Sequence, residues 1–243
     1  MPSASSWPLA WEELAVVALL AAAYAVASRR HPASRPRQAA FLAALVLVVA
    51  VSATPLATLA FHYLLSAYLV QNVVLAEWAP ALAVASLSAG MAGALARFRA
   101  VRWLTHPLVA LPLWVASYDV WHVPVLYEAA LRSDLLLHAE HASYFLAGTL
   151  LWWPLIHGVP RELSAGAKAV YVFGAFVLAS PVGLLLALLP EPIYDFYAQA
   201  PRVADISALT DQQMAGVLMA VSEAVVFFAA FAYFFFRFLA EQE

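Results

Sequence analysis

Long apolar stretches of membrane-spanning length dominate the chain. A spanning helix needs about 20 mostly apolar residues, and seven stretches meet or approach that length: 10–28, 39–59, 64–86, 104–122, 135–157, 167–189 and 212–237. Hydrophobic residues make up 65% of the sequence and charged residues 11%, which is more apolar surface than a water-soluble fold can bury. The sequence therefore predicts an all-α integral membrane protein, one domain over residues 1–243 with seven transmembrane helices. Thr54-Pro55 interrupts the second stretch, where the helix ends or kinks.

The basic residues predict the orientation of these helices. Ten of the twelve Lys and Arg residues lie in alternate connections or at the end of the seventh stretch, and only Arg132 and Arg202 fall on the opposite side. Positively charged connections stay in the cytoplasm, so we expect the N-terminus outside and the C-terminus inside. The outer connections 123–134 and 190–210 mix aromatic and acidic residues, as segments in the headgroup region do.

The composition excludes several kinds of chemistry. The chain has no cysteine, so disulfides, thiolate metal sites and iron–sulfur clusters are excluded, and a metal would need His, Met, carboxylate or carbonyl ligands. No nucleophile–base pair and no Gly-rich phosphate loop is present, which argues against an enzyme. The sequence contains no stripe of basic residues, so nothing in it indicates a nucleic-acid partner.

Polar residues concentrate near the predicted outer ends of the helices, where they suggest a metal site. His138 and His141 are three residues apart and share a helix face, as do Asp119 and His122. A carboxylate one turn from an imidazole can accept its second N–H and orient it towards a metal. Because the fourth and fifth helices have a short outer connection, we expect His122 near His141. Met214 adds a thioether, which suits cuprous copper, and the candidate ligands are His122, His138, His141 and Met214.

Structural alternatives remain open for several of these residues. His138 can extend to water, and Met214 can be a packing residue. Residues 210–213 fit a capping box, with Thr210 as N-cap and Gln213 reaching back, in which case Asp211 only favours the helix dipole. Glu77 and Glu223 lie near the middle of predicted helices, where a neutral acid, a helix–helix hydrogen bond and a proton path are all compatible with the sequence.

Two segments resemble signatures of the CtaG family of cytochrome c oxidase assembly factors. Residues 121–155, WHVPVLYEAALRSDLLLHAEHASYFLAGTLLWWPL, contain Trp-His-x-Pro, Tyr-acid-Ala-Ala-Leu, Glu-His and Trp-Trp-Pro in the family order, and residues 211–219, DQQMAGVLM, resemble the second signature. The resemblance extends from residue 38 onward. It implies a bacterial cytoplasmic-membrane protein that helps mature a haem–copper oxidase at the copper-insertion stage. The positions matching family motif residues are His122, Glu140, His141, Asp211, Gln212 and Gln213.

The chain departs from the family pattern at the head of the third helix. The family usually has Ser-Ala-His-Met-x-Gln-His there, whereas this sequence has Tyr68 and Asn72 at the two His positions. Tyr and Asn are poor copper ligands, so the metal site implied by the resemblance is at most half present. We expect the polar residues around the site to orient ligands or bind a partner; they are Asp119, Glu140, Asp211, Gln212, Gln213, Tyr68 and Asn72.

Two functions are compatible with these observations. The first is copper delivery to a cytochrome c oxidase at the periplasmic side, with oxidase subunits, periplasmic copper donors and the lipid bilayer as partners. The second is a metal-free accessory or interaction subunit of a respiratory oxidase complex. Haem ligation by His residues of adjacent helices is a third interpretation, although we do not expect haem as a cofactor.

Overall fold

The computed structural model describes residues 2–242, which form an all-helical bundle without β-strands. Seven helices and one π-helical turn make up the first part of the chain: α1 (Trp11–Arg30), α2 (Arg35–Ser52), α3 (Pro55–His62), α4 (Leu65–Val73), the π-turn (Val74–Trp78), α5 (Ala79–Ser86), α6 (Ala89–Leu95) and α7 (Arg99–Leu104). The second part contains α8 (Pro107–Trp121), α9 (Pro124–Leu131), α10 (Asp134–Ile156), α11 (Ala165–Leu188), α12 (Asp195–Gln199) and α13 (Ala208–Ala240). The predicted all-α fold is confirmed.

Each of the seven predicted stretches contains one long helix or helical unit. Five of these are long and apolar enough to cross a membrane: α1, α2, the continuous unit Leu65–Ser86, α11 and α13. The pair α8 and α9 passes the same test together, although it bends by 75°. The fold therefore has five or six candidate spans by length and composition. At the interruption, α2 ends at Ser52 and the Thr54 hydroxyl caps the new helix α3.

A π-turn lies in the middle of the helical unit Leu65–Ser86. Pro80 has no N–H to donate to the carbonyl of Ala76, four residues earlier. The Trp114 indole donates to that carbonyl instead, at 3.2 Å. Gly148 of α10 faces the same oxygen so closely that a Cβ atom there would lie 2.2 Å from it. The turn is thus held between α8 and α10.

The C-terminal helix α13 is the central packing partner in the second half of the chain. It packs along α11 and also against α4. Two glycines permit the close approach to α11: a Cβ on Gly216 would lie 2.5 Å from the carbonyl oxygen of Gly183. Small residues at helix interfaces are typical of membrane bundles because they let backbones approach.

The two ends of the bundle differ in chemistry. One end of the bundle is where α4, α10 and α13 begin and where α8 ends, and we call it the site end. There Asp211 binds the start of α4, and Tyr194 of the 190–210 connection bonds to the His122 carbonyl. At the opposite end, Arg37 donates to the carbonyl oxygens of Ala85, in the last turn of α5, and of Leu87, directly after it. The ten grouped Lys and Arg residues belong to the connections and helix ends of that opposite end.

Candidate functional site

Asp211 joins α13 to the beginning of α4. Its carboxylate accepts hydrogen bonds from the backbone N–H groups of Leu65 at 2.7 Å and Ser66 at 3.1 Å, and from the Ser66 hydroxyl at 2.6 Å. The first N–H groups of a helix have no intrahelical partner, and the N-cap residue Leu64 has no side-chain acceptor to offer. Asp211 therefore caps α4 from a distant part of the sequence.

The capping-box alternative for residues 210–213 is wrong. The helix begins at Ala208 with Ser207 as N-cap, and the Ser207 hydroxyl accepts from the N–H of Thr210 at 3.1 Å. Gln212 bonds outward to the 190–210 connection, accepting from the Ile193 N–H at 2.8 Å and donating to the Glu191 carbonyl at 3.1 Å. Gln213 is half-buried on the same turn. Asp211 and Gln212 thus hold other segments in place.

Glu140 lies at the centre of a buried polar cluster between α4 and α10. Its side chain is 0% exposed, and its carboxylate accepts from the Tyr68 hydroxyl at 2.6 Å and from the Asn72 amide at 3.3 Å. The two side chains at the family His positions therefore bind a carboxylate of the neighbouring helix. Buried carboxylates require such donors, because an unpaired buried charge is costly.

Aromatic residues from the connections 123–134 and 190–210 close this cluster. Tyr127 of α9 stacks on Tyr194, with ring centroids 4.1 Å apart, and lies edge-on to Tyr68 at 5.1 Å. Tyr197 of α12 donates to the Ala60 carbonyl at 2.6 Å. All four tyrosines are buried. The connections 123–134 and 190–210 thus contribute to the interior, which their mixed composition did not indicate.

The two ring nitrogens of His122 differ in their hydrogen bonding. Its Nδ1 atom lies 2.7 Å from the carbonyl oxygen of Tyr118. A carbonyl only accepts, so Nδ1 carries the proton and Nε2 keeps its lone pair. The Nε2 atom is buried and has no hydrogen-bond partner within residues 2–242. A backbone carbonyl on one nitrogen commonly orients a metal-binding imidazole. The Asp119 carboxylate, which the spacing suggested for this role, does not make this contact.

His141 belongs to the same cluster but does not touch His122 directly. Its Nε2 atom is buried without a hydrogen-bond partner among residues 2–242. Its ring lies 6.4 Å from that of Tyr68, whereas the His122 ring lies 6.0 Å from that of Tyr127. The rings of Tyr68 and Tyr127 thus connect the two imidazoles. Hydrogen bonds of Trp121 and Ser117 to the Ser143 hydroxyl hold the site ends of α8 and α10 together.

The other two candidate ligands lie on different surfaces. The His138 side chain is 41% exposed, with Nε2 3.2 Å from a carboxylate oxygen of Glu12 and 3.7 Å from one of Glu13. Met214 is 44% exposed on the outside of α13, and Asp119 is exposed near the end of α8. No group of three or more His, Asp or Glu side chains within residues 2–242 is arranged to hold a metal ion.

A comparison with protein-family models identifies the family. The model described as cytochrome c oxidase caa3 assembly factor (Caa3_CtaG) matches residues 18–241. The chain belongs to this family. The resemblance seen in residues 121–155 and 211–219 is thereby confirmed across nearly the whole sequence. No significant match was found among curated proteins or among solved structures. In this family member, the signature residues Glu140, Asp211 and Gln212 are buried. Glu140 and Asp211 connect helices of the site end, and Gln212 binds the 190–210 connection.

Proposed function

We propose that the chain assists the assembly of a haem–copper cytochrome c oxidase in the bacterial cytoplasmic membrane, as a non-catalytic seven-span protein that presents copper at the periplasmic side. Its partners are oxidase subunits, periplasmic copper donors and the lipid bilayer. The supporting observation is His122, whose Nδ1 is bonded to a carbonyl while its buried Nε2 has no hydrogen-bond partner in the described part of the chain. Imidazole suits copper, and the buried Nε2 of His141 in the same cluster likewise has no partner among these residues.

Copper binding is tested on purified protein by titration with cuprous copper under reducing conditions, without competing chelators. We expect wild type to bind copper, and His122→Ala and His141→Ala each to weaken binding at least tenfold. His106→Asn is the matched control, because it removes an imidazole at the opposite end but keeps an acceptor for the Leu108 N–H. His138→Ala and Met214→Ala measure whether these exposed side chains contribute. A wild-type protein that binds no copper would end this proposal.

The proposed orientation is tested by labelling, since the chain contains no cysteine. Single cysteines replace two exposed residues, Gln199 at the site end and Glu162 at the opposite end. In intact cells, a membrane-impermeant maleimide should label Gln199→Cys and leave Glu162→Cys unlabelled until the membrane is opened. The reverse pattern would place the site end in the cytoplasm.

A metal-free accessory role is the second candidate, and one observation favours it. Tyr68 and Asn72 both bind Glu140, so the family His positions are used for a helix–helix bridge. This candidate predicts co-purification with oxidase subunits in mild detergent and normal oxidase assembly in the His122→Ala and His141→Ala strains. Loss of assembly in those strains, with the variants still folded, would favour copper delivery. An absorption spectrum without a Soret band would exclude haem in the purified protein.

A further inference from the structure

Two acids besides Glu140 and Asp211 are buried in the interior, at Glu77 in the π-turn and Glu223 in α13. Both are 0% exposed. One Glu223 oxygen accepts from the Tyr118 hydroxyl. The other Glu223 oxygen and both Glu77 oxygens have no hydrogen-bond partner within residues 2–242. Both acids lie beside α8, where Trp114 binds the Ala76 carbonyl next to Glu77 and Tyr118, one turn further along, binds Glu223. Neither acid is part of the Glu140 cluster or the copper proposal.

Several independent contacts hold the backbone of Glu77 in the π-turn. π-turns are rare and are frequently found at functional sites. Here Pro80 frees the Ala76 carbonyl, Trp114 binds it, and Gly148 leaves room for it. Three helices therefore hold the turn in place, and Glu77 is buried because of this arrangement.

Neither carboxyl makes an ion pair with a Lys, Arg or His side chain within residues 2–242. Tyr118 donates to Glu223, Asp119 follows Tyr118 near the end of α8, and Tyr144 lies near Tyr118. These neighbours are hydroxyls or another acid. Two ionised carboxylates cannot persist side by side in a low-dielectric interior without a compensating cation. The pair therefore requires a bound proton or another cation, because these side chains do not supply a positive charge.

We propose that Glu77, Glu223 and Tyr118 form a proton-binding site inside the bundle, in which the two carboxyls hold an exchangeable proton between them. Tyr118 donates to Glu223 and so orients the acceptor oxygen of the pair. Its ring centroid lies 6.2 Å from that of Tyr144, and Tyr144 lies one turn after Glu140 on α10. Tyr144 thus lies between the pair and the polar cluster at the site end, and its buried hydroxyl makes no hydrogen bond to either within residues 2–242.

Infrared spectroscopy of the full chain in detergent tests this proposal, because a protonated carboxyl has a C=O stretch that an ionised one lacks. In choline chloride at neutral pH, wild type should show a buried carboxylic-acid band that shifts in deuterated water. The Glu77→Gln and Glu223→Gln variants should each lose or weaken it. Glu162→Gln, an exposed acid, is the matched control and should leave it unchanged. Glu140→Gln identifies any contribution from Glu140.

Two further measurements distinguish a proton-sharing pair from other arrangements. Tyr118→Phe should shift the frequency of the band, because the carboxyl loses its hydrogen-bond donor. Glu77→Gln should change the pH range over which Glu223 titrates, whereas independent carboxyls would titrate over an unchanged range. If the Glu77→Gln and Glu223→Gln variants do not fold, the band that remains in the Glu140→Gln variant decides. The absence of a protonated band, or its removal by sodium or potassium chloride at constant pH, would overturn the proposal, the latter in favour of a metal cation.

Discussion

Replacing Asp211 by Ala should strongly destabilise the bundle, because this residue caps a helix that it does not belong to. The substitution leaves two buried N–H groups, of Leu65 and Ser66, without an acceptor. An unsatisfied buried donor costs about 1–3 kcal/mol, and hydrogen bonds to charged groups are at the upper end of the range. We therefore expect Asp211→Ala to lower the free energy of unfolding by about 3–5 kcal/mol.

Two further variants should cause smaller losses of stability, because each removes fewer of these hydrogen bonds. Asp211→Asn keeps one acceptor oxygen but turns an NH₂ group towards the other backbone donor, so a loss of about 1–3 kcal/mol is expected. Ser66→Ala removes only the 2.6 Å hydroxyl bond and should cost about 1 kcal/mol. The expected order of destabilisation is Asp211→Ala, then Asp211→Asn, then Ser66→Ala.

The assay is reversible unfolding by sodium dodecyl sulfate in mixed micelles, followed by tryptophan fluorescence. Asp134→Ala is the matched control, because Asp134 is an exposed acid in the first turn of α10 and contributes about 0.3–1 kcal/mol through the helix dipole. If Asp211→Ala unfolds within 1 kcal/mol of the control, as judged against the roughly 1–3 kcal/mol cost of each unsatisfied donor, the reasoning about the cap is refuted.

Three other predictions follow from the packing and the polar cluster. Gly148→Ala should destabilise the fold by about 2 kcal/mol or more, because its Cβ would lie 2.2 Å from the Ala76 oxygen; Gly93→Ala is the control, with no atom within 4 Å, and equal unfolding of the two variants would contradict the prediction. Gly216→Ala should disrupt the α11–α13 contact more than Gly183→Ala, since its nearest contact would be 2.4 Å rather than 3.2 Å; the same detergent unfolding series measures the order. The double variant Tyr68→His with Asn72→His should raise the affinity for cuprous copper at least tenfold in the titration described above, because it supplies two imidazoles one turn apart; unchanged affinity would show that α4 does not contribute to copper binding.

The sequence predicted the helices well because lipid imposes a simple requirement. Every spanning backbone must satisfy its own hydrogen bonds, so a spanning segment appears as a long apolar run. All seven predicted runs contain a helix, and the interruption at Thr54-Pro55 ends one helix and begins the next. The π-turn was not predicted. Pro80 was a visible signal for it, but the outcome depended on Trp114, a residue of another helix.

The site was predicted only where its residues act through local spacing or through the family signatures. The sequence drew attention to Glu140, Asp211, His122 and His141, which the structure places at the site end. The partner of Asp211 was not, because local pattern rules find a cap only within its own helix, whereas the capped residue Leu65 is 146 positions away. Similarly, the i, i+3 spacing suggested Asp119 as the partner of His122, but α8 ends at Trp121 and the imidazole turns back to a backbone carbonyl.

The position of Glu140 explains the structural effect of having Tyr68 and Asn72 where the family usually has two His residues. A His at either position would face the same buried carboxylate, which is the kind of acceptor that orients metal-bound imidazoles. With Tyr and Asn there, the carboxylate binds two neutral donors instead, and α4 is joined to α10 without a metal. Within residues 2–242, the buried imidazole nitrogens of this cluster that have no hydrogen-bond partner belong to His122, at the end of α8, and His141, on α10. The copper proposal therefore depends on these two residues, whereas the connection of α4 to α10 depends on Tyr68, Asn72 and Glu140.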